Sequence, residues 1–207
     1  MMVKIKICGL KRLEDIQIVN KYKPDYVGFV FAGSKRFVSD ELAKNMRERL
    51  SNDIKSVGVF VNDSLEHIKY LTDNNIIDCI QLHGDEDSTY IESLRKITDK
   101  PIIKAIRMKD SSSIEKASKL FPDYFLLDSY DNSMYGGTGK TFDTALIKNN
   151  INNYFLAGGL NESNIIDTLN RCSPYCVDIS SGVETDGFKD ENKIKTIIEL
   201  IDNYNKH

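Results

Sequence analysis

One unit, a short apolar run, a turn and then apolar residues at helical spacing, recurs eight times along this 207-residue chain. The runs are Val3 to Cys8, Asp25 to Phe31, Lys55 to Val61, Ile76 to Leu82, Pro101 to Ile106, Asp123 to Leu127, Tyr154 to Ala157 and Cys176 to Ile179. In the first, Val3, Ile5 and Ile7 alternate with Lys4 and Lys6, the period of two expected of a half-buried strand, and Gly9 stops it. Between the runs the period changes. Leu13, Ile16, Val19 and Tyr22 recur at three-residue steps and predict a helix ending near Pro24. Ser39 is placed to cap a helix carrying Leu42, Ala43, Met46 and Leu50, and Asp63 with Glu66 has capping-box spacing at the head of Leu65, Ile68 and Leu71. Tyr90, Ile91, Leu94 and Ile97 mark a fourth helix, Ser112 with Glu115 opens a fifth, and Phe142, Ala145 and Leu146 suggest a short sixth. Ile165, Ile166 and Leu169 form the seventh, and Asp190 starts a last helix burying Ile194, Ile197, Ile198 and Ile201.

Each parallel strand needs a crossover helix to return, and eight such units are the count of a closed barrel. An open doubly wound sheet gives the same alternation. Eight units without a terminal extra strand favour the α/β class as a single (β/α)8 barrel, one domain over residues 1–207. That fold typically takes about 250 residues, so the connections at its base must be tight. A formal charge of -3, with 28 lysines and arginines scattered rather than gathered in a stripe, argues against nucleic acid as a partner. No apolar segment opens the chain and none reaches spanning length, so a cytoplasmic protein without a membrane partner is expected, monomeric or homodimeric. Cysteines 8, 79, 172 and 176 fit neither a disulfide framework nor paired zinc-ligand spacing, and no metal is expected.

Chemistry in a barrel collects where its strands end. Here they run into Cys8, Phe31, Val61, His83, Arg107, Asp128, Gly158 and Ser180, while the strand interiors are mostly apolar. Gly158-Gly159 after strand seven and Ser181-Gly182 after strand eight stand where many barrels hold a phosphate, and glycine lets backbone N–H groups approach an anion. The alternative for a glycine pair is a plain turn. Gly136, Gly137, Thr138 and Gly139, followed by Lys140-Thr141, resemble the close of a nucleotide-binding P-loop, but Met134 occupies the position of its first glycine. A flap that closes over substrate suits this stretch better, with a plain surface loop as the other reading. Cys8, Asp128, His83, Asp178, Arg36 and Arg107 make up the acid-base set. Cys8 and Asp128, at the ends of strands one and six, are placed to face one another across the mouth. A buried packing thiol is the ordinary fate of a lone cysteine, and a rim position or a structural hydrogen bond the ordinary fates of His83 and Asp178.

Taken together, Lys6-Ile-Cys-Gly9, Gly33-Ser-Lys-Arg-Phe-Val38, Gln81-Leu-His-Gly84, Leu127-Asp128, Gly136-Gly-Thr-Gly139 with Phe142-Asp143, Ala157-Gly-Gly-Leu-Asn161 and Val177-Asp-Ile-Ser-Ser-Gly-Val-Glu184 resemble, in order, the motifs of the phosphoribosylanthranilate isomerase family. The likeness runs from strand one to strand eight. It implies a cofactor-free isomerisation of a small phosphorylated substrate in tryptophan biosynthesis, with Cys8 as general base and Asp128 as general acid. It also implies that Arg36 holds the anthranilate carboxylate and that backbone around Gly158, Gly159, Ser181 and Gly182 holds the phosphate. Thr144 departs from the family, which often has tryptophan there.

The chemistry asks for the same residue types. An aminoaldose becomes a 1-amino-2-ketose by protonation of the ring oxygen, opening to an imine, and removal of the C2 proton. One acid and one base suffice, an arginine fork matches a carboxylate, and a phosphate anchor binds remote from the reacting carbons. A different sugar-phosphate enzyme on this scaffold would need other groups in place of Cys8 and Arg36. A non-catalytic phosphate sensor would not need a paired acid and base.

Overall fold

The computed structural model describes residues 2–108, 120–128 and 153–206. Eight parallel strands close into a barrel in chain order: β1 (Lys4–Cys8), β2 (Tyr26–Val30), β3 (Lys55–Phe60), β4 (Cys79–Leu82), β5 (Ile102–Arg107), β6 (Tyr124–Asp128), β7 (Tyr154–Ala157) and β8 (Cys176–Ile179). Closure is made by β1, which pairs with β2 at Lys6–Tyr26 and with β8 from Lys4–Cys176 to Ile7–Ile179. An open doubly wound sheet has two edge strands with a single neighbour each, whereas every strand here has two, so that alternative is excluded.

Six helices are described around the barrel: α1 (Leu13–Tyr22), α2 (Asp40–Arg49), α3 (Leu65–Asp73), α4 (Ser88–Arg95), α5 (Ile165–Arg171) and α6 (Glu191–Asn205). The helices expected at Ser112–Glu115 and Phe142–Leu146, Thr144 within the second, and the loop Gly136, Gly137, Thr138 and Gly139 lie outside the described residues. Most of the expected ends hold. Lys23 takes a left-handed φ of 52° to stop α1 ahead of Pro24, Ser39 Oγ accepts from the Leu42 N–H at 3.2 Å, and the Asp190 carboxylate accepts from Asn192 and Lys193. The capping box at Asp63 is corrected: Ser64 is the cap of α3, accepting from the His67 N–H at 3.1 Å. Asp63 instead accepts from the Ser64 N–H at 2.7 Å through Oδ1 and meets the His67 ring at 2.8 Å through Oδ2.

Alternation along β1 has a different meaning from the one read in sequence. Ile5 and Ile7 face the helices and join a core with Ile16, Val19 and the α6 residues Ile194, Ile197 and Ile201. Each such side chain, fully buried, contributes roughly 1.5–3 kcal/mol. The opposite face of β1 meets the barrel interior, not water, because a closed parallel sheet is covered on both sides. Lys6 is therefore 0% exposed, which corrects the half-buried reading. At the amino-terminal end the interior is plugged by aromatic rings: Phe155 meets Tyr26 and Tyr124 edge-on, each at 5.5 Å, and Tyr124 stacks on Tyr175 at 5.0 Å. This floor leaves only the carboxyl ends of the strands open to a ligand.

Asp15, fully buried in the first turn of α1, accepts from the Lys11 and Arg12 backbone N–H groups at 2.9 and 3.1 Å and pairs with the Arg12 guanidinium at 2.7 Å. Asp15→Ala strands these donors and is expected to cost about 3 kcal/mol, measured as a lower urea midpoint at unchanged slope.

Candidate active site

The carboxyl ends of the strands surround a pocket of about 540 Å³. Of the residues singled out in sequence, Cys8, Arg36, His83, Asp128, Gly158, Gly159, Asp178 and Ser181 line it. Two do not. Arg107 is exposed at the end of β5, and Gly182 sits against the Leu160 carbonyl oxygen, where any side chain would collide. Gly182 thus lets the loops after β7 and β8 touch, while Gly158 and Gly159 make the first of these turns with φ of 104° and 62°.

Cys8 lies opposite Gly28 of β2, and a side-chain carbon at position 28 would stand 2.6 Å from the thiol. The absent side chain is what gives Sγ its space. Ser180 Oγ, donating to the Cys8 carbonyl at 2.9 Å, pins this end of β1 to β8. Burial pushes the Cys8 thiol above its ordinary pKa and Asp178 adds to the rise, while the ammonium groups of Lys6 and Lys189 pull it down. Cys79, lower in the barrel, is pushed up to about 12, chiefly by burial, and serves as packing.

Beneath the pocket, Lys6 Nζ donates to Asp178 Oδ2 and to Gln81 Oε1, both at 2.8 Å. Burial opposes the Lys6 charge, but Asp178 and Cys8 outweigh it and its pKa is raised. Asp178 Oδ1 is buried without a hydrogen-bond partner among the described residues, and Asp178 lines the pocket. Gln81 Nε2 lies 2.9 Å from His83 Nδ1, and His83 Nε2 lies 3.4 Å from Asp128 Oδ2. A polar chain therefore crosses the floor of the pocket from Asp178 to Asp128.

Arg36 reaches the rim past Gly9, whose φ of 83° and missing side chain make room for the Arg36 methylenes. Its Nε and Nη2 donate to Glu184 Oε1 and Oε2 at 2.7 and 2.9 Å. Lys189 Nζ, nearly fully buried, donates to Glu184 Oε1 at 2.9 Å and to the Ser180 carbonyl at 3.1 Å. Both partners come from a two-stranded hairpin, β9 (Glu184–Thr185) and β10 (Phe188–Lys189), turned by Asp186 and Gly187 at φ of 52° and 77°. Sequence reasoning missed Gln81, Glu184 and Lys189 as members of the site. For the last two a signal was available, since Asp-Gly is the favoured pair for a two-residue hairpin turn.

Barrels whose reactive side chains gather on this one face form a broad class of enzymes that transform a small molecule at the strand ends, and the fold and pocket put the chain in that class. The family model of N-(5'-phosphoribosyl)anthranilate (PRA) isomerase matches residues 5–200, and the chain belongs to that family. It is 50% identical to the N-(5'-phosphoribosyl)anthranilate isomerase of Endomicrobium trichonymphae over 202 residues, 97% of this chain and 98% of that one. The crystal structure of phosphoribosyl anthranilate isomerase from Thermotoga maritima superposes with a TM-score of 0.84 at 35% identity, covering 98% of this chain and 100% of that one. A further isomerase structure, in complex with reduced 1-(o-carboxyphenylamino)-1-deoxyribulose 5-phosphate, has a TM-score of 0.83 at 32% identity, with the same coverage.

The Glu184 carboxyl yields a pH prediction. Burial opposes its charge, yet Arg36 and Lys189 hold its pKa down to about 2, from an ordinary 4.5. A depressed carboxyl gives stability that is present above the unfolded pKa and lost as pH falls through the folded one. Glu184→Gln is therefore expected to be less stable than the parent at pH 7, with the gap closing between about pH 4.5 and about pH 2. Urea midpoints of both proteins across that range measure it.

Proposed function

We propose that Cys8 is the general base and Asp128 the general acid of the reaction for which the family is named. That reaction converts N-(5'-phosphoribosyl)anthranilate to 1-(2-carboxyphenylamino)-1-deoxyribulose 5-phosphate, an Amadori rearrangement in tryptophan biosynthesis. The observation that carries the assignment is the shared cavity. A thiol at the end of β1 and a carboxyl at the end of β6, with β7 and β8 between them, line one pocket. In the proposed sequence Asp128 gives its proton to the furanose oxygen as the C1–O bond breaks and the amine lone pair forms the C1 iminium. The Cys8 thiolate then takes the C2 proton, and the electron pair left behind makes the enolamine, which tautomerises to the ketone. At its ordinary pKa roughly 3% of a thiol is ionised at pH 7, and burial reduces that share for Cys8. The fields of Lys6 and Lys189 favour the thiolate and so support the role.

Around this pair, Arg36 receives the anthranilate carboxylate. Glu184 occupies its Nε and Nη2 and holds the guanidinium plane in place, which leaves Nη1 for the substrate. Backbone at Gly158, Gly159 and Ser181 receives the phosphate, with Gly182 bringing the two loops together. Asp178 Oδ1, an acceptor with no partner among the described residues, takes an N–H or O–H hydrogen of the substrate. The same proposal extends to a cytoplasmic enzyme of one domain over residues 1–207, supported by the direct pairing of the first strand with the last. No described helix is long and apolar enough to cross a membrane.

Loss of anthranilate fluorescence with freshly made substrate follows the reaction. Cys8→Ser and Asp128→Asn are each expected to lower kcat/KM at least about 100-fold, because a hydroxyl is a poor proton acceptor and an amide cannot deliver a proton. The double variant is expected to be far less impaired than the product of the two losses. Near-normal activity in either single variant removes that residue from the assignment. Gly159→Val is expected to raise KM strongly; an unchanged KM moves the phosphate elsewhere.

A further inference from the structure

The polar chain across the floor of the pocket contains a residue given no role so far. Gln81 sits on β4, buried to 1% exposure, between the Lys6 ammonium and the His83 ring. An amide side chain has one accepting and one donating end, and its neighbours decide which way round it lies. Here the choice is forced. An ammonium only donates, so the end 2.8 Å from Lys6 Nζ must be the carbonyl oxygen. The amide nitrogen is then the end 2.9 Å from His83 Nδ1, and it can only donate. A proton on Nδ1 would face the amide's own hydrogens, so Nδ1 must carry a lone pair and the ring proton must sit on Nε2. That nitrogen lies 3.4 Å from Asp128 Oδ2.

We infer that Gln81 is a positioning residue: held by Lys6, it fixes the His83 proton on Nε2 and aims that proton at Asp128. The inference rests on the proposed role of Asp128 as the acid. A donor on one carboxyl oxygen turns the group and leaves the other oxygen to serve the substrate, and it stabilises the carboxylate once the proton has gone to the ring oxygen. At 3.4 Å the contact is long for a hydrogen bond, and catalytic hydrogen bonds commonly tighten in the Michaelis complex. The same tautomer keeps His83 from competing as a base on its Asp128 side, since Nε2 is already protonated. Lys6 thereby serves both arms of the site: through Gln81 it orders the acid side, and directly it holds Asp178.

The tautomer is read on the free enzyme by long-range proton-nitrogen NMR of 15N-histidine-labelled protein at pH 8, with the His83 signals identified by their loss in His83→Asn. The expected spectrum has Nε2 protonated and Nδ1 bare. Gln81→Glu keeps the shape of the side chain but replaces the donor with an acceptor, so the proton is expected to move to Nδ1. kcat is expected to fall at least about tenfold while KM stays within about threefold, since the contact matters in the transition state. Gln81→Met, which neither donates nor accepts strongly, is expected to give a mixture of tautomers and a smaller loss. If the glutamate variant does not fold, the parent spectrum and the methionine variant decide the matter. A parent ring with its proton on Nδ1, alone or together with Nε2, overturns the inference, as does a Gln81→Glu or Gln81→Met ring unchanged from the parent. Because no substrate is needed, these outcomes are separate from the failure of the acid assignment, which would show as an active Asp128→Asn enzyme with the His83 tautomer intact.

Discussion

The mouth of the barrel depends on one buried charge, the ammonium of Lys6. Removing an ion from water costs several kcal/mol, and a buried pair recovers this only when its geometry is good and its other donors are satisfied. Lys6 meets that condition with Asp178 and Gln81, each at 2.8 Å. A well-packed apolar replacement of such a pair is often no less stable, so stability alone does not account for it. Its position does. Lys6 sits one turn of the strand pleat below Cys8, with its charge drawing the thiol toward ionisation and its two hydrogen bonds organising side chains that line the pocket.

The second ordering element is Glu184. Its carboxylate is bound by Arg36 and Lys189, and its main-chain carbonyl accepts from Lys193 Nζ at 2.7 Å, so the loop after β2, the hairpin after β8 and the start of α6 are tied at one residue. The hairpin carrying it is held from outside, where Lys11 and Arg12 lie over the Phe188 ring at 4.5 and 4.3 Å. An arginine presented on a fixed plane loses less freedom on meeting a carboxylate than a free one does. Glycine works at the same sites by omission, at Gly9 for the Arg36 stem, at Gly28 for the Cys8 thiol and at Gly182 for the approach of two loops.

Much of this was legible in the chain. The repeated unit gave the barrel, helix caps at Ser39 and Asp190 were readable from residue type and spacing, and the strand-end rule placed Cys8, His83, Asp128 and the glycine loops on one face. Errors arose where a local rule met a non-local fact. Asp63 and Ser64 are both good caps; Ser64 takes the His67 N–H, while Asp63 is engaged by a His67 ring that is itself held by Asp40, 27 positions away. Arg107 ends a strand as Asp128 does, yet it points away from the pocket into solvent. Lys6 reads as the polar side of a half-buried strand because alternation is the same whether the second face meets water or a closed interior.

The sequence by itself determined the order of elements, the closure into eight units and the identity of the residues at the strand ends, because these follow from hydrophobic period, turn chemistry and chain order. Tertiary structure alone decided which charges are buried and what each polar group faces. Lys6, Gln81 and Asp178 lie up to 172 positions apart, and no pattern within a window of residues relates them. They meet because closing the sheet brings β1, β4 and β8 around one narrow interior, where every ion must find a counter-charge and every amide must choose a direction.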